Sequence, residues 1–234
     1  MKYAVISGGT HGIGKAIAEK LLEQGFSLAI CARNTHHLNA TNAQWSAKYP
    51  TQRIICFTAD VSIKTEVDAF AATVLSAFKR IDVLVNNAGV FTPGNLADET
   101  NGAMEALMAS NVYSAYYLSR ALLPAMKEQN SGHIFNICSV ASLKAYPHGG
   151  SYGISKYALL GFNDNLREEL KAFNIKVTAI SPGATHSRSW EESGIDPDRL
   201  MDARDIAEML FASYALSAKA NVEHIIMRPI QGDI

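Results

Sequence analysis

Short apolar, β-rich runs alternate along this chain with stretches of helical periodicity. The runs fall at 3–7, 27–31, 53–57, 81–85, 133–138, 175–180 and 222–227, and the helical patterns near 12–24, 36–48, 64–79, 98–128, 151–173 and 204–217. Regular alternation of strand and helix predicts a parallel sheet covered by helices on both faces. No long Pro/Gly/Ser stretch separates the elements, so one domain over 1–234 is expected. The least regular segment, about 184–203, holds Gly194, Pro197 and several charges and is too polar for core. A loop of that length in a compact domain is more often functional than idle, and it is read as the substrate loop.

Composition narrows the function classes. With 234 residues, 48% of them hydrophobic, the chain can bury a substantial core. A formal net charge of −1 gives no global electrostatic reason to bind nucleic acid or an acidic membrane. The N-terminus enters an apolar strand at Tyr3–Ile6, which leaves no room for a signal peptide, and no apolar run approaches the ~18 residues of a membrane span. Cys31, Cys56 and Cys138 are odd in number, widely spaced and set among strand-like residues. They read as buried thiols in a reducing cytosol, which suggests a cytoplasmic protein. Without a Cys-xx-Cys pair, and with no ligand partners near His36 and His37, no metal site is inferred.

The candidate chemistry begins with Tyr152 and Lys156, four residues apart and so on one face of a helix. A nearby ammonium favours the phenolate, which would draw the tyrosine pKa down from about 10 and make Tyr152 a general acid for a carbonyl oxygen or a base for an alcohol. At the other end of the chain, the first strand runs into Gly8, Gly12 and Gly14 and then a helix. Such glycines permit a tight turn and let a pyrophosphate approach backbone N–H groups at the helix N-terminus. The second strand ends Ile30-Cys-Ala-Arg33-Asn34, with no acid to bind ribose hydroxyls but with an arginine suited to a 2′-phosphate. A solvated strand-end residue is the alternative reading of Arg33. His148 lies four residues before Tyr152, but Ser139 lacks a Gly-x-Ser-x-Gly elbow, so a hydrolase reading gives way to a loop histidine near substrate.

Taken in order, Ser7-Gly8-Gly9-Thr10-His11-Gly12-Ile13-Gly14, Asp60-Val61, Asn86-Asn87-Ala88-Gly89, Asn111, Ser139, Tyr152-xxx-Lys156 and Pro182-Gly183 resemble the short-chain dehydrogenase/reductase family over nearly the whole chain. The resemblance implies a doubly wound, Rossmann-like α/β sheet of about seven strands. It implies that Asn111, Ser139, Tyr152 and Lys156 form the catalytic set. In that set Ser139 bonds the substrate carbonyl, Lys156 binds the nicotinamide ribose, and Asn111 holds a water linking Lys156 to solvent. It further implies a cofactor bound by Gly8, Thr10, His11, Gly12, Ile13 and Gly14, with Asp60 and Val61 bracketing the adenine. Asn87, Ala88 and Gly89 would pack beside the adenosine ribose, while Asn86 is read as a brace between strands. Pro182, Gly183, Thr185 and Ser187 would turn beneath the nicotinamide, Thr185 standing where an apolar residue is usual. With Arg33, the cofactor expected is NADP(H) in preference to NAD(H).

Residues near Val90–Leu96, Val140–Pro147 and Ala184–Arg199 are expected to line the substrate end. Trp190 is a candidate apolar wall or a loop anchor, and Arg188, Glu191 and Glu192 would either read a charged substrate or simply be surface charge. The leading function is an NADPH-dependent carbonyl reductase or alcohol dehydrogenase for a small ketone or aldehyde. A 3-oxoacyl-carrier-protein reductase is the alternative, lowered by Asn130 and Phe173 where such relatives carry basic residues. A nonenzymatic NADP-sensing module is disfavoured by the intact Asn-Ser-Tyr-Lys set. Helices near 98–128 and 151–173 are expected to form a homodimer or homotetramer contact, because Val112-Tyr113-Ser-Ala-Tyr116-Tyr117-Leu118 presents apolar or aromatic groups on more than one helical face.

Overall fold

The computed structural model describes residues 1–187 and 194–233. Strands β1 (Lys2–Ser7), β2 (Phe26–Ala32), β3 (Ile54–Thr58), β4 (Val83–Asn86), β5 (Gly132–Ile137), β6 (Ile175–Pro182) and β7 (His224–Met227) form one sheet in the order β3-β2-β1-β4-β5-β6-β7. Every neighbouring pair is parallel. The order reverses between β1 and β4, the place where an open parallel sheet leaves a crevice outside its carboxyl ends. Among the described residues no helix is long and apolar enough to cross a membrane.

The strands are apolar at successive positions because helices cover both faces, so both sets of alternating side chains are buried. In β1, Ala4 and Ile6 enter one core and Val5 the other; in β2, Leu28 and Ile30 part from Ala29 and Cys31 in the same way. The first core is closed by helices α1 (Gly12–Glu23), α2 (Thr35–Lys48) and α7 (Ala203–Ala215) through Ile17, Leu21, Trp45 and Leu210. The second is closed by α3 (Lys64–Ala77), α5 (Ser114–Glu128) and α6 (Gly150–Leu170) through Phe70, Val74, Leu122 and Leu166. A buried amide chain ties the layers: Asn86 donates to Asn136 Oδ1 (2.8 Å) and Ser119 Oγ (2.9 Å), and Asn136 to Asn163 Oδ1 (2.9 Å). Asn86 thus spans β4 and β5.

The helical pattern over 98–128 resolves into three pieces. Helix α4 starts only at Ala103, after Gly102 with φ +90°, and ends at Met108; a π turn over Ala109–Tyr113 then leads into α5. The π turn holds Asn111, and such turns cluster at functional positions. The segment after β6 is pinned at its base by a bridge between Thr185 and Met201, and it includes a 3-10 turn over Pro197–Arg199. Arg188, Trp190, Glu191 and Glu192 lie outside the described residues. Of the cysteines, Cys31 and Cys138 are buried and Cys56 partly so; burial pushes their thiols up to about 12, 12 and 11.

His133 of β5 gives the fold a pH dependence. Its Nε2 lies 2.8 Å from Thr178 Oγ1, whose own proton goes to the Val222 carbonyl, so Nε2 is the donor and Nδ1 carries no proton. Nδ1 is buried without a partner, and the ring stacks on Phe135 at 3.9 Å. Burial, with the Lys176 charge adding to it, holds the imidazole pKa down at about 3. Below pH 6.5 the unfolded chain therefore takes up a proton that the folded chain refuses until about pH 3, and stability falls by up to about 1.4 kcal/mol per pH unit across that window. His133→Gln keeps a donor for Thr178 but has nothing to titrate. Urea midpoints measured between pH 7 and pH 4 should show the variant gaining on the wild type as pH falls; a gap that stays constant with pH would sink this assignment.

Candidate active site

A cleft of 910 Å³ opens outside the carboxyl ends of the central strands, at the point where the strand order reverses. Its floor begins at the turn after β1. Gly8 and Gly12 there take φ values of +72° and +50°, and a Cβ on Gly14 would stand 2.2 Å from the Gly8 carbonyl and 2.3 Å from Asn87 Nδ2. Only hydrogen fits at Gly14, so the first turn of α1 lies against the ends of β1 and β4. Asn87 holds that arrangement: its Nδ2 donates to the carbonyls of Ser7 (3.0 Å) and Gly8 (2.9 Å), while the Asn87 and Ala88 N–H groups both donate to Ser7 Oγ at 3.1 Å. The sequence reading gave Asn87 a place beside a ribose; the structure adds a stitch through the glycine turn.

Around that floor the cleft is lined by Gly8, Thr10, His11, Gly12 and Ile13 on one side and by Asn87, Ala88 and Gly89 on the other. Arg33, Asp60 and Val61 close the β2–β3 end. Arg33 is exposed there; burial pushes the Asp60 carboxyl up, but hydrogen bonds from Ser62 and then the Arg33 charge together hold it below its usual range. The Thr10 hydroxyl meets His11 Nδ1 at 3.0 Å, and the His11 ring packs 4.6 Å from that of His37. From sequence His37 was read only as lacking metal-ligand partners, and its place in the cleft was not expected. Asn34, whose Oδ1 caps α2 by accepting from the His37 N–H (3.0 Å), is the signal that places it on the first turn facing the glycine loop.

Pro182, Gly183, Thr185 and Ser187 form the remaining wall. Ser187 lies over the glycine turn, its Cβ 3.1 Å from where a Gly12 Cβ would be. The Thr185 hydroxyl donates to the Gly183 carbonyl (2.9 Å), which commits its proton to closing the turn. Arg228 and Asp233, paired at 3.0 Å, also line the cleft beneath this segment, a contribution from the C-terminus that no local pattern announced.

At the β5 end Ser139, Tyr152 and Lys156 come together. Ser139 follows β5 and caps a 3-10 turn over Val140–Ser142, its Oγ accepting from the Ala141 N–H (3.1 Å) and its N–H donating to Ser142 Oγ (3.2 Å). One lone pair of the hydroxyl is thereby used, and its proton points into the cleft toward the Tyr152 phenol. Tyr152, on the first turn of α6, is partly buried in the cleft wall. Burial raises its pKa above the ordinary value, a hydrogen bond from Ser139 opposes this, and the Cys138 thiol adds to the rise. This corrects the sequence expectation that Lys156 draws the phenol down. Lys156 Nζ lies 5.8 Å from the Tyr152 ring centre and donates instead to the Ile137 carbonyl (3.0 Å), and its own pKa is lowered by burial. In this arrangement desolvation sets the direction of both shifts, and the phenol keeps its proton.

Asn111 lies behind this group, buried, with Oδ1 accepting from the Val90 N–H (2.7 Å) and Nδ2 donating to the Val90 carbonyl (3.0 Å) and Ser155 Oγ (2.9 Å). Its amide is spent on protein partners that the sequence did not reveal. Gly89 fills the space between: a Cβ there would stand 3.0 Å from Asn111 Oδ1 and 3.6 Å from Lys156 Nζ. Phe91 sets its ring edge-on to Tyr152 at 4.8 Å, another contact without a sequence signal. His148 takes φ +60° and accepts through its carbonyl from the Gly94 N–H (3.0 Å); it is not part of the cleft lining. A carbonyl oxygen set between Ser139 and Tyr152 would receive two hydrogen bonds, which is a geometry for proton transfer rather than for nucleophilic attack.

The family model for short chain dehydrogenase matches residues 2–197. The chain is 32% identical over 238 residues to a sepiapterin reductase from Chlorobaculum tepidum, covering 98% of this chain and 97% of that protein. An alcohol dehydrogenase from the archaeon Thermococcus sibiricus, solved with 5-hydroxy-NADP, superposes with a TM-score of 0.91 at 25% identity, covering 98% of this chain and 97% of that one. A metagenomic short-chain oxidoreductase solved with NADP superposes with a TM-score of 0.84 at 32% identity, covering 97% of this chain and 96% of that one. With the strand order, the glycine turn and the Ser-Tyr-Lys cluster at one cleft, these matches identify the chain as a member of the short-chain dehydrogenase/reductase family and an NAD(P)-dependent oxidoreductase.

Proposed function

We propose that this protein is an NADPH-dependent carbonyl reductase, equally an alcohol dehydrogenase in reverse, acting on a small ketone or aldehyde. The observation that carries the reading is the convergence of Ser139, Tyr152 and Lys156 on one cleft, with Tyr152 held protonated by burial. The alcohol dehydrogenase and the metagenomic oxidoreductase, both solved with an NADP species, support the cofactor assignment. The cleft suits such a group: Gly14 brings backbone N–H groups within reach of a pyrophosphate, and Arg33 stands exposed at the β2 end for a 2′-phosphate.

When bound, the dihydronicotinamide supplies a hydride to the carbonyl carbon. Ser139 donates a hydrogen bond to the substrate oxygen and orients it. Tyr152 gives its phenolic proton to that oxygen as negative charge develops, so carbonyl, hydride and proton become an alcohol. Lys156, kept close to the phenol but hydrogen-bonded to Ile137, stabilises the phenolate left behind. Asn111 fixes Val90 and Ser155 on either side, which keeps the strand end and the catalytic helix in register.

Tyr152→Phe removes the proton and keeps the ring on Phe91. Turnover against a panel of ketones and aldehydes should fall by about 10²–10⁴-fold while NADPH affinity is retained; near-wild-type turnover would end this mechanism. Arg33→Ala should weaken NADPH by about one to two orders of magnitude and leave NADH little changed. Titration of both cofactors checks this, and equal losses for the two would remove Arg33 from the 2′-phosphate. Tyr113 and Tyr116 near the start of α5 and Ile154 and Tyr157 on α6 are exposed, and none of them lines the cleft. We assign this patch to a symmetric contact between subunits. Light scattering at micromolar concentration should give at least a dimer, and a 25.3 kDa particle would refute it.

A further inference from the structure

Helix α6, which carries Tyr152 and Lys156, starts without a cap of its own. It begins Gly149-Gly150, and Gly149 offers no side chain to the open N–H groups of the first turn. The missing acceptor comes from 52 positions away: Glu99, in the loop between β4 and α4, accepts from the Ser151 N–H through Oε1 (2.7 Å) and from the Ser151 hydroxyl through Oε2. These hydrogen bonds hold the Glu99 carboxyl below its usual range, so a full negative charge faces the positive end of the helix.

The approach is built into the chain on both sides. Gly150 takes φ +39°, and a Cβ there would stand 2.1 Å from Glu99 Oε1 and 2.6 Å from the Gly94 carbonyl. A Gly94 Cβ would meet Glu99 Cγ at 3.0 Å, and the Gly94 N–H donates to the His148 carbonyl at 3.0 Å. The same loop grips α6 at two further points, through Phe91 against the Tyr152 ring and through Val90, which Asn111 joins to Ser155. The Glu99 contact holds the Ser151 N–H directly, whereas the Asn111 contact reaches the Tyr152 carbonyl through Ser155 Oγ, which donates to it at 2.7 Å.

We propose that Glu99 is a positioning residue for the proton donor: by clamping Ser151 it fixes the first turn of α6 and hence the place of the Tyr152 hydroxyl relative to Ser139. The proposal rests on Tyr152 being the proton donor, and it predicts a pattern that a general folding role would not produce. A displacement of about an ångström in a reacting group is enough to cost up to about 100-fold in rate. Loss of Glu99 should therefore lower kcat, should leave NADPH affinity alone, and should have no further effect once Tyr152 has no proton to give.

The test is a double-mutant cycle on the full chain, read with hydrogen–deuterium exchange. Glu99→Ala is expected to lower kcat by about 10–100-fold, with the NADPH dissociation constant unchanged. Glu99→Gln, which keeps an acceptor for the Ser151 N–H, should recover part of the loss. In a Tyr152→Phe background Glu99→Ala should cost less than about threefold, because the two changes act through one group. A loss that adds in full to that of Tyr152→Phe, or one that appears in cofactor affinity, overturns the proposal. The exchange measurement does not depend on turnover. Amides of 151–153 should exchange at least about tenfold faster in Glu99→Ala, as expected for a lost hydrogen bond to a charged group, while those of α3 and α7 hold. Unchanged exchange at 151–153 overturns the clamp. A fully active Tyr152→Phe would instead overturn the proposed proton donor, and exchange would then decide the clamp by itself.

Discussion

The arrangement depends on how closely the backbone at the start of α1 can approach the ends of β1 and β4. Asn87 spends its amide on the Ser7 and Gly8 carbonyls, and Gly14 leaves the space in which it does so. Any side chain at Gly14 would push α1 away from the sheet, and with it the row of backbone N–H groups that makes the crevice a place for an anion. The parallel order of the strands determines where the crevice lies; this contact determines that its floor is tight.

At the opposite end of the crevice two opposing physical effects meet. Burying Tyr152 and Lys156 disfavours the charged form of each, and the shifts run accordingly, up for the phenol and down for the ammonium. The protein meets the cost of the buried ammonium with the Ile137 carbonyl rather than with the phenol. The result is a protonated tyrosine near a cation that already donates to a backbone carbonyl, a state suited to giving up a proton when a carbonyl oxygen arrives.

Much of this was legible in the sequence, for identifiable reasons. Strands buried on both faces stand out as apolar runs, and the seven expected runs correspond to β1–β7 with ends shifted by one or two residues at most. The glycine turn and the Tyr152-xxx-Lys156 pair were legible because local geometry admits few alternatives there. What sequence could not give were contacts across long separations. Asn111 holding Val90, Glu99 holding Ser151 and Phe91 against Tyr152 have no periodicity to betray them. The sign of the Tyr152 shift was misread for a related reason: spacing on a helix brings two side chains near each other but says nothing of how much water is excluded around them.

The π turn over Ala109–Tyr113 explains why the 98–128 pattern reads as one blurred helix. A turn of this kind holds more residues than an α turn, so the chain after it is out of phase with the chain before it by roughly the 100° that one residue adds. Asn111 can face inward from the bulge while Tyr113, at its last position, and Tyr116, in the helix that follows, face outward. The two halves of the element are thus decoupled in azimuth. A single-residue deletion in the bulge would act as a rotation, turning one half against the other and forcing a choice between Asn111's grip on Val90 and the outward tyrosine face. Length at this point in the chain, more than the identity of any one residue, is what the site and the outer face of α5 hold in common.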